Sequence, residues 1–237
     1  MGKRKLIMNS MEYKDLGGGS INESISIYNC DCMDLLKQTP DNYYSLAIVD
    51  PPYGISVDNN KKGNFVMTKH KSKGWDLYSP EKEYFLELFR VSKKQIIWGG
   101  NYFELEKKKG WICWDKVNPL KGKFSDFELA WTSFLNCDRI YKQEWIGFGR
   151  KFKEKESSIH PTQKPIQLYE WLLMNYAKEG NKILDTHGGS LSIAIAIDNV
   201  NKIEKMNLTL TACELDPDYF KAAMKRIEQQ TAQQTIF

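Results

Sequence analysis

Along the chain, short apolar blocks alternate with longer stretches in which apolar positions recur every three to four residues, and these two periods separate strands from helices. SISIYN at 24–29 alternates as a strand, and CMDLLKQTP then reads as a short helix ended by Pro40. The continuous apolar run LAIV at 46–49 has the composition of a strand buried on both faces. Ser79 and Pro80 open a helix in which Tyr84, Phe85, Leu88 and Phe89 keep helical spacing, and QIIWGG at 95–100 is a strand ending in glycines. WICWDK and ELAWTSF read as further strands on either side of the turn-rich VNPLKGKFSD. Between 165 and 178, Ile166, Leu168, Trp171, Leu172 and Tyr176 mark a helix; NKILDTHGGS follows as strand, acid and glycine turn, with a helix after it. LTLTACELD is the last strand, and Pro217 opens a helix to about residue 230. Strands alternating with helices predict an α/β fold, a mainly parallel central sheet flanked by helices on both faces. No internal repeat is visible.

Composition narrows this picture only a little. At 237 residues the chain can bury one main core, expected over 24–230, with 1–23 as a flexible arm broken by Gly17-Gly18-Gly19-Ser20 and 231–237 as a tail. No apolar run approaches the roughly 20 residues that span a bilayer, and the first residues lack a secretory apolar core, so the cytoplasm is the expected compartment. The five cysteines are odd in number and scattered, which argues against a disulfide framework. Cys30-x-Cys32 is either a pair of idle thiols or part of a metal site, but the three histidines supply no paired-ligand spacing, and no metal is expected.

The net charge of +4 is too mild to prove a polyanionic partner. Its distribution says more: Lys61, Lys62, Lys69, His70, Lys71 and Lys73 crowd one stretch, and Arg139, Lys142, Arg150, Lys151, Lys153 and Lys155 another. These are either loops that neutralise nucleic-acid phosphate or solvated surface. Trp98, Trp111, Trp114 and Trp131 sit in strand-like contexts and read as core.

Two places carry candidate chemistry. The first is Asp50-Pro51-Pro52-Tyr53, directly after the 46–49 strand. Neither proline has an N–H for a ladder, so pairing must stop there, leaving a donor-poor corner with a carboxylate, carbonyl oxygens and an aromatic face at the carboxyl end of a strand. It is either a rigid turn with a packing aromatic or part of a ligand site. The second is ILDTHGGSLSIAIA, where Gly188 and Gly189 follow Asp185, with Glu214 ending the next strand. Glycines there let a ligand approach backbone, and an acid on the neighbouring strand can accept bonds from ribose hydroxyls. A tight turn with no ligand is the other reading, and the absence of G-x-G-x-x-G weakens a dinucleotide.

Taken in order, DPPY at 50–53, HPTQKP at 160–165, ILDTHGGS at 183–190 and CELDPDYF at 213–220 resemble the amino-methylating DNA methyltransferases. The resemblance covers roughly residues 24–228 and is nearest to the permuted β group, in which the catalytic motif precedes the cofactor motif, as in phage and mobile-element enzymes. It implies a Rossmann-like fold for S-adenosylmethionine-dependent methyl transfer to double-stranded DNA, in an orphan or restriction-linked enzyme, with a homodimer common in the group. Asp50, Pro51, Pro52 and Tyr53 would be catalytic: Asp50 and the Pro51 carbonyl would accept the two N–H bonds of the amine, and Tyr53 would stack on a flipped base. S-adenosylmethionine would be held by Asp185, His187, Gly188, Gly189 and Ser190 at its methionine part, Glu214 at the ribose, and Asp31 near the adenine. His160, Thr162, Gln163 and Lys164 would add a cofactor wall, and Asp50 would border it.

The turn departs from the family's in carrying Leu191, followed by Ser192, where a further glycine usually stands; Gly188 falls where the family often has a larger residue. A target-recognition insertion is expected around 115–158. Asp50 favours adenine-N6, since cytosine-N4 relatives usually have serine there. Cytosine-N4 methylation, a protein-glutamine or RNA substrate, and a catalytically degenerate DNA-binding homologue are the alternatives. The last five residues, QQTIF from Gln233 on, resemble sliding-clamp pentapeptides that dock Ile236 and Phe237.

Overall fold

The computed structural model describes residues 13–55, 76–117, 125–145 and 158–233. At its centre β3 (Leu46–Val49) is buried at every position, because alternate side chains point to opposite faces and both faces are covered. Leu46 and Ile48 join a core shared with α3 (Ile166–Tyr176), α4 (Ser192–Glu204) and α5 (Pro217–Gln233). Ala47 and Val49 join a second core with α1 (Cys32–Gln38) and α2 (Lys82–Val91).

Strands β1 (Gly17–Asn22), β2 (Ile25–Asn29), β4 (Gln95–Trp98), β5 (Trp111–Asp115), β6 (Phe127–Thr132), β7 (Arg139–Lys142), β8 (Lys182–Asp185) and β9 (Thr209–Cys213) complete one sheet, in the order β1-β2-β9-β8-β3-β4-β6-β5-β7. From β2 to β4 all neighbours are parallel, with Leu46 opposite Ile183 and Val49 opposite Ile97. β6 then runs antiparallel between β4 and β5. From β8 the chain winds outward to β9, whereas from β3 it winds the other way to β4. The order therefore reverses between β8 and β3, and a crevice must open at their carboxyl ends.

The α/β expectation holds, and so do the strands and helices placed from periodicity. Two strands were not anticipated. Gly17–Asn22, expected within a flexible arm, pairs antiparallel with β2, and Tyr13 before it is buried, its hydroxyl 3.0 Å from Thr39 Oγ1, so from Tyr13 onward this segment packs on the fold. Arg139–Lys142 lies beside β5 at the sheet's edge. Within 115–158, where the small recognition insertion is expected, β6 and β7 pair into the main sheet. The lysine-rich 61–73 stretch, residues 150–155 and the terminal pentapeptide beyond Gln233 lie outside the described residues. No helix among the described residues is long and apolar enough to cross a membrane.

Leu191 opens α4 with φ 52°, in the left-handed region that a glycine would occupy more easily. Its side chain is fully buried in the α3–α4–α5 core, and the room comes from Gly188, where an added Cβ would come within 2.5 Å of Leu191 Cδ2. Leu191 thus points into the protein, and the two departures from the family's turn compensate each other. Leu191→Gly should relieve about 1 kcal/mol of backbone strain but lose about 3 kcal/mol of packing, for a net destabilisation of about 2 kcal/mol. Urea unfolding followed by circular dichroism measures it.

Candidate active site

At the switch between β8 and β3 lies a cavity of about 670 Å³, within the usual range for a cofactor-sized ligand. Its walls bring together sequence-distant segments: the residues after β2, the corner after β3, the stretch from Tyr78 to Tyr84 that opens α2, the 160–164 segment before α3, the turn after β8, and the acid after β9. Among the residues singled out from sequence, Asp31, Asp50, Pro52, His160, Thr162, Gln163, Lys164, His187, Gly188, Gly189, Ser190 and Glu214 line it. Pro51, Tyr53 and Asp185 are not among the lining residues and adjoin ones that are.

Each acid has a structural task. Asp31 caps α1 by accepting the Met33 N–H at 2.8 Å. Glu214 accepts the N–H groups of Gly189 at 2.7 Å and Asp216 at 2.8 Å, tying the glycine turn to the segment after β9. Gly189 needs its freedom, with φ 53° and a notional Cβ 3.5 Å from the His160 ring. That ring packs edge-on against Tyr219 at 4.4 Å; a Cβ on Gly189 would only touch it, so the positive φ is what calls for glycine there. Arg226 reinforces the turn from beneath, donating to the Ser190 carbonyl at 2.7 Å.

Asp185 is 2% exposed and accepts the His187 N–H at 3.0 Å. Burial pushes its carboxyl up to about 7, the His187 N–H opposing that rise. The His187 imidazole is driven down to about 4, again by burial, so it is neutral at physiological pH. Its Nδ1 lies 2.9 Å from Thr186 Oγ1, which also bonds the Tyr84 hydroxyl at 2.7 Å.

The corner after β3 is held by groups the sequence did not reveal. Asp76 accepts the N–H groups of Tyr53 at 2.8 Å and Gly54 at 3.0 Å, fixing the chain just after the two prolines. Tyr53 donates its hydroxyl to Asp50 Oδ1 at 2.7 Å; burial foremost keeps that phenol well above its ordinary value and so a donor. Its ring lies against Gly99, where an added Cβ would come within 2.1 Å of it. It also stacks on the half-exposed Tyr102, centroids 5.0 Å apart and planes 14° from parallel. Tyr84, Thr186, Asp76 and Tyr102 gave no sequence signal beyond an aromatic on a helix face or an isolated polar residue.

The other oxygen of Asp50 accepts from the Lys164 ammonium. Lys164, 3% exposed, also pairs with Glu128 of β6 at 3.1 Å, and Glu128 in turn with Lys116 at 2.5 Å. Burial pushes the Asp50 carboxyl up, Lys164 opposes this, and Glu128 adds to it. Burial disfavours the Lys164 ammonium, yet the two carboxylates raise it above its ordinary value. Burial likewise disfavours ionised Glu128, but Lys164 and Lys116 hold it down at about 2. Four alternating charges therefore run from the cavity wall to the far strands of the sheet. All five thiols are free, and among the described residues no group of three or more histidines, cysteines or acids could hold a metal ion.

With this geometry in view, similarity to known proteins becomes informative. The family described as DNA methylase matches residues 123–225. Type II methyltransferase M2.MboI of Moraxella bovis is 23% identical over 218 residues, covering 75% of this chain and 80% of the relative. Type II methyltransferase M2.DpnII of Streptococcus pneumoniae is 30% identical over 118 residues, covering 49% of this chain and 41% of the relative. Among solved structures, PvuII DNA methyltransferase (cytosine-N4-specific) superposes with a TM-score of 0.56 over 94% of this chain and 96% of its own, at 14% identity. The M1.HpyAVI–SAM complex gives 0.50 over 85% and 99%, at 19% identity. The likeness to the solved structures establishes the Rossmann-like fold that these DNA methyltransferases share, and the DNA methylase match covers the 160–164 segment, the glycine turn and Glu214 on the cavity wall.

Proposed function

We propose that the protein methylates the exocyclic N6 amine of an adenine flipped out of double-stranded DNA, using S-adenosylmethionine. The observation that carries this reading is the convergence of the Asp50 corner and the Gly188–Gly189 turn on one cavity at the switch between β3 and β8. The residues present fit the cofactor: the turn carries no side chain at Gly188 or Gly189, and the carboxylates of Asp31 and Glu214 line the same cavity as Asp50. In this reading Gly188, Gly189, Ser190 and His187 receive the methionine part with Asp185 beneath them, Glu214 the ribose, and Asp31 the adenine edge. His160, Thr162 and Gln163 close the wall. When bound, S-adenosylmethionine supplies a sulfonium-activated methyl group whose carbon–sulfur bond breaks with its electron pair remaining on sulfur.

The protein's task is to ready the amine. Its nitrogen is a weak nucleophile because the lone pair is delocalised into the ring. Asp50 accepts one N–H and the Pro51 carbonyl the other, which draws the nitrogen toward tetrahedral geometry and aims its lone pair. Bond formation leaves positive charge on nitrogen next to the Asp50 carboxylate; the N–H proton passes to Asp50 and then to solvent. Pro52 keeps the corner rigid, and Tyr53 stacks on the base, offsetting the few kcal/mol that flipping costs. The aspartate favours adenine over cytosine as the target. Basic stretches at 61–73 and 139–155 are suited to phosphate. A homodimer, and clamp binding through the terminal pentapeptide, are further proposals from sequence.

Incubation with methyl-labelled S-adenosylmethionine and unmethylated DNA, followed by digestion to nucleosides, should yield N6-methyladenine. Asp50→Ala should lower the rate by at least about 10³-fold. Label in N4-methylcytosine would transfer the same chemistry to cytosine, and cofactor binding without any label would indicate a degenerate DNA-binding homologue.

Asp185 generates a separate expectation. Its folded carboxyl binds a proton more tightly than the unfolded one, so its contribution to stability diminishes as pH rises from about 4 through about 7. Asp185→Asn keeps an acceptor for the His187 N–H and removes the buried charge. It should stabilise the cofactor-free protein by about 2 kcal/mol more at pH 8 than at pH 5, while weakening S-adenosylmethionine binding about tenfold or more. Thermal melts at the two pH values and calorimetric titration read the two effects.

A further inference from the structure

Lys164 belongs by sequence to the segment expected to wall the cofactor, yet its ammonium is committed elsewhere. It sits between the carboxylates of Asp50 and Glu128, 3% exposed, over the face of Trp98 at 5.3 Å. Trp98 is fully buried, so the ammonium has an apolar floor, and the two acids are its charge partners. We propose that Lys164 is the positioning residue that holds Asp50 ionised and aimed at the target amine, and that Glu128 of β6 sets how much of its charge Asp50 receives. The proposal rests on the methyltransferase reading and deepens it.

Asp50 must accept an N–H, which requires a carboxylate. A lone carboxylate in a largely buried wall tends to take up a proton, and a flipped base that excludes water strengthens that tendency. The groups facing Asp50 come from five parts of the fold. Tyr53 donates from the same corner, Lys164 from the segment before α3, and Glu128 opposes from β6. Asp185 of β8 and Tyr169 of α3 also feel its charge. Lys164 alone among these places a full positive charge against it. The ammonium cannot turn toward a cofactor without abandoning both acids. The backbone holds it there too, since the Lys164 carbonyl accepts the Ser192 hydroxyl at 2.7 Å from the start of α4.

Two substitutions should move Asp50 in opposite directions. Lys164→Gln removes its counter-charge; Glu128→Gln removes a competing negative charge and leaves Lys164 to Asp50. Single-turnover methylation with saturating cofactor and DNA, followed from about pH 5 to 9, reports the acid limb on which Asp50 loses its charge. In Lys164→Gln that limb should move up by about one unit or more, with the rate near neutrality down by about tenfold or more and partly restored by raising the pH. In Glu128→Gln it should move down, and in Lys164→Arg it should stay near the parent. Equilibrium S-adenosylmethionine binding should change less than about threefold in all three. In protein without cofactor or DNA, the carboxyl carbon resonance of Asp50, identified by its loss in Asp50→Asn, should titrate with the same opposite shifts.

An unshifted limb with weakened cofactor binding in Lys164→Gln would return Lys164 to the cofactor wall and overturn the proposal. Shifts of both variants in one direction would overturn it as general damage to the site. Should Lys164→Gln fail to fold, Glu128→Gln decides by itself, and no downward shift overturns the proposal. Failure of the parent reading appears separately, as an unsubstituted protein that neither binds S-adenosylmethionine nor labels any nucleobase.

Discussion

Everything in this fold depends on the pairing of β3 with β8. They are parallel neighbours, but the chain leaves them in opposite directions, so no crossover helix covers the gap at their carboxyl ends. The two prolines after Val49 and the two glycines after His187 both stop ladder formation at this spot. A sheet buried on both faces sets the positions of the two strands to within a side-chain contact, and the corners they end in inherit that placement. Core packing thus places the strand ends, and the segments that follow them form the cavity walls.

Within the cavity wall, charge is arranged by sequence-distant partners. Glu214 closes the glycine turn by accepting two backbone N–H groups, and Asp76 closes the proline corner in the same way. Both use a carboxylate where a neutral acceptor would bond more weakly. The Asp50–Lys164–Glu128–Lys116 series extends the principle across the sheet: each buried charge has a neighbour of opposite sign, without which it would be strongly disfavoured. β6 and β5 therefore supply electrostatic balance to the corner after β3 as well as sheet edges to pair.

The architecture was legible in sequence because the strong elements are long, apolar and periodic, and the four motifs fall at strand ends. What escaped was what depends on a partner. GGGSIN has little strand propensity of its own and becomes β1 because the edge of β2 offers it a ladder. RIYK is short and mostly exposed, with the side of β5 as its template. Lys164 was read with its neighbours in HPTQKP because a motif groups residues by adjacency, whereas its ion pair reaches across 114 positions of chain to Asp50. Gln163 shows the same limit, since its side chain accepts the Ile159 N–H at 3.1 Å and so braces its own segment. Leu191 is a departure from the family's turn by sequence, and only the structure shows that the space at Gly188 receives it.

The Tyr53 ring already has a stacking partner in Tyr102 before any base arrives. A base that settles on that face enters by exchange, one π-system leaving as another takes its place. The gain from stacking is then the difference between two similar contacts, and every base has a π-face to offer. Under the proposed function, selection among bases would then fall on the acceptors at Asp50 and Pro51, which distinguish a donor amine from a carbonyl where stacking cannot.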